Sequence, residues 1–127
     1  MRFYKSIDVE KEVRDALAPY MTAYCRPLPA EYDLPNLLIT KVGGNDRSTI
    51  DTFEVVIDAR AALDAEADEY IRNALGLLEQ IAKNQTTRIR HVVVNTSGSW
   101  GTDPVRPDLA MCSARVAVTV HKFLTEV

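Results

Sequence analysis

Apolar residues recur at three- and four-residue intervals from the first tenth of the chain. Val9, Val13, Leu17, Met21 and Tyr24 fall on one side, with Glu10, Lys11, Arg14 and Asp15 opposite. That period predicts an amphipathic helix over residues 8–24. Ser6 or Asp8 supplies a side-chain oxygen for the first orphan amides. Pro19 lacks an amide proton and clashes with the preceding turn, so the helix ends or kinks there. Residues 26–36 hold Pro27, Pro29 and Pro35 and read as an extended connector.

The period then changes to two. Residues 37–42 form a short strand, closed by Gly43-Gly44-Asn45-Asp46 as a hairpin turn or the base of a longer hairpin loop. The returning strand places Phe53, Val55, Ile57 and Ala59 on one face. Thr52, Glu54, Val56, Asp58 and Arg60 lie on the other. Asp64 caps a second helix that runs to about Lys83, its acids early and its lysine late, as the helix dipole favours. Ala67, Ile71, Ala74, Leu75, Leu78 and Ala82 are its buried stripe. Residues 89–94 are a third strand. Residues 115–123 are a fourth, with Val116, Val118 and Val120 on one face and Arg115, Thr119 and His121 on the other.

These elements give the order α-β-β-α-β-β in one α+β domain spanning residues 1–127. Two helices pack on one face of a four-stranded, mainly antiparallel or mixed sheet. Residues 95–113, rich in Gly, Pro, Ser and Asp and carrying the only Trp, read as a long loop. A connection of that length is functional or disordered until partnered, and it is expected to be mobile in the free subunit.

Composition narrows the class. The 127 residues are 46% hydrophobic and 26% charged with a net charge of −3, the balance of a globular domain and not of a disordered tail. That charge gives no net pull toward nucleic acid or an anionic membrane. Residues 1–11 are charged throughout and lack the apolar stretch of a signal peptide, and no apolar run is long enough to span a bilayer. Cys25 and Cys112 stand outside any CxxC spacing and read as two small hydrophobes in a reducing cytoplasm, a disulfide between them staying open.

Candidate chemistry is sparse. His91 and His121 fall on strands without a nearby metal-ligand partner in sequence. Neither glycine segment matches a dinucleotide fingerprint or a P-loop. Ser97 and Ser99 lack the GxSxG context of a nucleophile elbow. Asp103 and Asp108 suit an acid–base pair only if the fold brings them together. Lys83, Arg88 and Arg90 are the one local basic cluster, which a charged strand edge explains. No catalytic, cofactor-binding or metal-ligating residue is assigned. Trp100, with Arg106, Leu109 and Met111, has the aromatic, arginine and apolar make-up of an interface anchor, unless Trp100 folds back over the sheet.

Four features together resemble the tail terminator (head–tail joining, tail completion or minor tail) proteins of long-tailed bacteriophages. They are the N-terminal amphipathic helix with its proline-containing connector, and the segment Leu34-Pro35-Asn36-Leu37-Leu38-Ile39-Thr40-Lys41-Val42-Gly43-Gly44. An amphipathic strand feeding an acidic-start helix over residues 53–82 is the third, and Pro107-Asp108 ahead of the last strand is the fourth. The chain departs from the family pattern at Met111-Cys112-Ser113, where a Pro-Arg-aromatic step often stands. The resemblance implies a structural protein without catalysis or cofactor. Such a protein forms a ring, typically hexameric, that caps the tail tube and meets the head-completion or connector protein. DNA passes its channel without specific binding. It implies a place at the head-proximal end of the virion tail, after synthesis in the bacterial host cytoplasm. On this reading Gly43, Gly44, Arg47, Trp100, Arg106, Asp108, Leu109 and Met111 meet neighbouring subunits. The alternative is a small cytoplasmic enzyme or ligand-binding α+β domain in which His91, His121, Asp103 and Asp108 converge on a pocket. A third reading is an interaction module with no viral role.

Overall fold

The computed structural model describes residues 1–46 and 49–126. Among the described residues nine elements follow one another: β1 (Arg2–Lys5), α1 (Val9–Leu17), β2 (Ala23–Cys25), β3 (Asn36–Asp46), β4 (Ile50–Ala61), α2 (Asp64–Asn84), β5 (Ile89–Thr102), β6 (Ala110–His121) and β7 (Phe123–Glu126). Five strands form one sheet in the order β2-β3-β4-β6-β5, antiparallel except for β2 against β3. β1 and β7 form a separate two-stranded antiparallel ribbon. The α+β class and the mainly antiparallel sheet agree with the sequence pattern. Seven strands in two sheets replace the four expected.

The hydrophobic effect sets the layering. Leu37 and Ile39 of β3, Val55, Ile57 and Ala59 of β4, and Val116, Val118 and Val120 of β6 share one buried face. They join Val13 and Leu17 of α1 and Ile71, Ala74 and Leu78 of α2 in one core cluster. The helices therefore cover this face, and alternate strand positions, such as Thr40, Glu54 and Val56, stay partly open.

α1 begins as its sequence dictates, with Asp8 accepting from the Lys11 amide at 3.2 Å. It stops at Leu17, two residues before Pro19, so it does not reach residue 24. Met21 is still buried, but Tyr24 lies in β2, held by pairing to β3, and its hydroxyl accepts from the Asp33 amide at 3.3 Å. α2 follows its expected span and stripe, with Ile81 added. Leu63, not Asp64, occupies its N-cap, and no side chain caps it there. The acids of its first turn act on the helix dipole alone.

The largest departures come from β-bulges. Gly43-Gly44 is not a turn; both residues pair with β4, opposite Glu54 and Phe53, beyond a bulge at Val42. Gly44 is required for close approach, because a Cβ there would lie 2.7 Å from the Phe53 ring and 2.9 Å from the Thr52 carbonyl. The supposed loop 95–113 is mostly strand. β5 continues to Thr102 and β6 starts at Ala110, leaving only 103–109 as the connection. Register shifts at Ile89/His91, Val94/Thr96 and Thr96/Ser99 each insert one residue into β5. Gly98, at φ +73°, makes the last possible. Each insertion flips the alternation, so no single period of two runs the length of β5. β2 and β6 are separated by β3 and β4, so Cys25 and Cys112 stand more than about 14 Å apart at roughly 4.8 Å per strand. That is beyond disulfide reach, and both are free thiols whose pKa values burial pushes up.

Among the described residues, no helix is long and apolar enough to cross a membrane.

Candidate functional site

The most built feature lies on the helix-free face of the sheet, at the end where β4 finishes and β6 begins. Leu28, Pro29, Ala30 and Tyr32 of the connector and residues 103–105 of the β5–β6 turn form its walls. Leu38, Asp58, Arg60 and Met111 form its floor, enclosing about 550 Å³. Alternation puts these floor side chains opposite the core-facing Leu37, Ile57, Ala59 and Cys112.

Arg60 and Asp103 hold this end together. Each is nearly sealed from water, Arg60 at 4% exposure and Asp103 at 3%. Arg60 Nε lies 2.7 Å from Asp103 Oδ2, an ion pair whose N–H is off the line of a hydrogen bond. The second carboxylate oxygen accepts from the amides of Val105 (2.9 Å) and Arg106 (3.0 Å), which folds the turn around it. The Tyr32 ring covers the guanidinium at 4.7 Å, a cation–π contact that ties the connector to β4. Ser113 donates to Asp58 across the β4–β6 pair. Asn36, opposite Arg60 in register, donates to the Asp33 carbonyl at 2.9 Å. Among the described residues its Oδ1 is buried with no hydrogen-bond partner.

A second clamp fixes the start of the connector. Glu10 of α1 accepts from Arg26 at 2.6 Å and from the Lys41 amide at 3.0 Å. Burial would push its carboxyl up, but these donors hold it below the usual carboxylate range.

The residues singled out in the sequence divide into three groups. Arg106, Asp108, Leu109 and Met111 do gather, around the 103–109 turn. Arg106 and Asp108 form a bidentate pair at 2.8 and 3.0 Å, which lowers the Asp108 carboxyl and raises the guanidinium. Leu109 is buried and anchors the turn, so it is not free to meet a partner, whereas Met111 lines the cavity. Trp100 belongs to β5, opposite Cys112, and is 53% exposed, so it does not fold back into the core. Gly43 and Gly44 lie elsewhere, opposite Glu54 and Phe53, whose β6 partners are Ala117 and Val118. Arg47 is outside the described residues.

The four-residue catalytic constellation does not form. His121 and the Thr119 partner of His91 lie at one end of β6, and Asp103 and Asp108 lie beyond the other. Among the described residues no three His, Cys, Asp or Glu side chains converge to hold a metal ion. The basic cluster is also dispersed: Arg88 stacks on Phe123 at 3.6 Å and Arg90 bonds Gln85 at 2.9 Å. Sequence reasoning missed Tyr32 and Arg60. The one available signal was an aromatic among prolines, since Arg60 sits where alternation predicts water.

No protein-family model matches the chain, and no curated protein matches it significantly.

Proposed function

We propose that this chain is a structural virion-assembly protein that caps the tail tube of a long-tailed bacteriophage and joins tail to head as a ring. The observation that carries the reading is the β1–β7 ribbon. It stands apart from the five-stranded sheet and holds Phe3, Tyr4, Phe123 and Leu124 exposed. A lone two-stranded ribbon is marginal in water, and one with apolar side chains in solvent gains most from burial against a neighbour. The helix-free sheet face and exposed Trp100 supply further contact area for a tail tube protein below and a head-completion protein above. On this reading the ring, a hexamer by family resemblance, passes DNA without gripping it. It works without catalysis or cofactor at the head-proximal end of the tail, after synthesis in the host cytoplasm.

The test mixes the purified chain with polymerising tail tube protein and images the product by electron microscopy. Tubes of limited length, closed at one end by an open-centred ring, are expected. Tubes that grow unchecked overturn the proposal.

The cavity favours a second reading, a ligand-binding α+β domain, with walls other than the four residues first considered for it. A small molecule retained by the native chain in mass spectrometry, and lost on Val105→Asp, would carry that reading instead.

A further inference from the structure

The ribbon and the cavity occupy opposite ends of the same sheet. β6 runs from Ala110, beside the cavity, to His121, and β7 starts two residues later. Its 12 residues span roughly 35–40 Å at about 3.4 Å each. One end therefore carries an arm with exposed apolar side chains, and the other carries a socket with apolar walls. A patch at one end that fits a different patch at the other is the geometry of a heterologous contact, which repeats from subunit to subunit.

We infer that the β1–β7 arm of one copy docks in the cavity of a second copy of this chain. The inference rests on the ring reading above and supplies its contact. Size and polarity agree. The cavity wall includes Leu28, Pro29 and Val105, the last 83% exposed, and one face of the arm presents Tyr4 opposite Leu124, the latter 57% exposed. Charge agrees as well. The arm carries Arg2 and Lys5 against the single acid Glu126, which pairs with Arg2 at 3.9 Å, so Lys5 is its uncompensated charge. The connector carries Glu31 and Asp33 beside the lining residues Ala30 and Tyr32, and neither acid makes an ion pair among the described residues. Within the cavity, Arg60 offsets only one of Asp58 and Asp103, so the socket has a net negative charge to meet the arm's excess cation. Occupation also withdraws from water the apolar surfaces that the isolated chain leaves exposed at both ends.

The experiment uses the full chain and two exposed substitutions, Leu124→Asp in the arm and Val105→Asp in the socket. A second socket variant, Ala30→Arg, obstructs the cavity from a different wall. Circular dichroism first confirms that each variant is folded. Sedimentation velocity across a concentration series then reads association. The native chain is expected to associate, more weakly as salt rises, and each variant to lose at least tenfold in affinity. Mixing the arm variant with a socket variant restores one contact per pair, so this mixture is expected to stop at a 1:1 dimer. A native chain that stays monomeric to millimolar concentration overturns the inference. So do variants that associate like the native chain, a mixture that stays monomeric, or a retained small molecule in the socket. Tube capping separates the two proposals. If variants and native chain cap tubes equally, the docking fails and the assembly role stands. If the native chain associates through arm and socket yet leaves tubes growing, the assembly role fails alone.

Discussion

The two ends of the five-stranded sheet solve opposite problems with the same strands. At the Ala61/Ala110 end, the connector and the β5–β6 turn close over the sheet, and Arg60 ties each of them to β4. Asp103 gives one oxygen to Arg60 and the other to two turn amides, while Tyr32 closes over the guanidinium. At the Ile50/His121 end the ribbon is joined to the body by Arg88 on Phe123 and by Lys122, whose ammonium lies 3.6 Å from the buried Asp51, while the ribbon's apolar side chains stay exposed. Buried polar groups define a shape at the first end. Exposed apolar groups wait for one at the second. A charged group thus serves as an internal fastener where burial forces it to find a partner. An apolar group left in solvent marks where the fold is incomplete.

The sharpest way to break this contrast is to remove one partner of the fastener. Asp103→Ala leaves a buried guanidinium uncompensated and two amides without an acceptor, and is expected to cost about 3–5 kcal/mol in urea denaturation. The paired change Arg60→Met with Asp103→Leu is expected to recover much of that stability, because no charge is then left buried alone. Gly44→Ala comes next. Its Cβ meets Phe53 and a carbonyl, so a loss of about 1–3 kcal/mol is expected by the same measurement.

Glu10→Gln tests the second clamp and carries a pH signature. The Glu10 carboxyl is held below its ordinary value in the folded chain, so its stabilisation is present above its unfolded pKa. It is lost as pH falls through the folded value. The variant should lose about 1–2 kcal/mol at pH 7 and converge on the native chain toward low pH, read from unfolding curves across pH 2–7. The smallest effect belongs to the ribbon. Leu124→Asp should change the stability of the isolated subunit by less than about 0.5 kcal/mol, since the side chain packs on little.

Hydrogen exchange sharpens the contrast without mutation. Ribbon amides should exchange far faster than those of Ile57 or Val116. Amides of residues 99–102 in ladder positions should be protected, unlike those of a mobile loop.

Much of the body was legible in the sequence because one-sided burial leaves a period. β4, β6 and α2 each bury one face without interruption, and their stripes match the observed core nearly residue for residue. β5 was illegible past Val94 because two further bulges, at Val94/Thr96 and Thr96/Ser99, reset its alternation. β1, β2 and β7 were missed for another reason: two form a solvent-exposed ribbon and one is three residues long, so none has a buried face to advertise. The candidate site was readable only around the 103–109 turn, where Arg106, Asp108 and Met111 lie close in sequence. Tyr32 and Arg60 are 28 residues apart and meet only because the connector folds back over β4.

What the sequence determined by itself was therefore the α+β class, the two helices and the core, because hydrophobic burial acts residue by residue along each element. Tertiary structure alone decided the strand count and the role of the glycines, which depend on partners opposite each residue. It also decided that Arg60 would be an interior fastener instead of a surface charge. A strand residue's fate depends on whether a distant segment covers its face, and no local pattern records that.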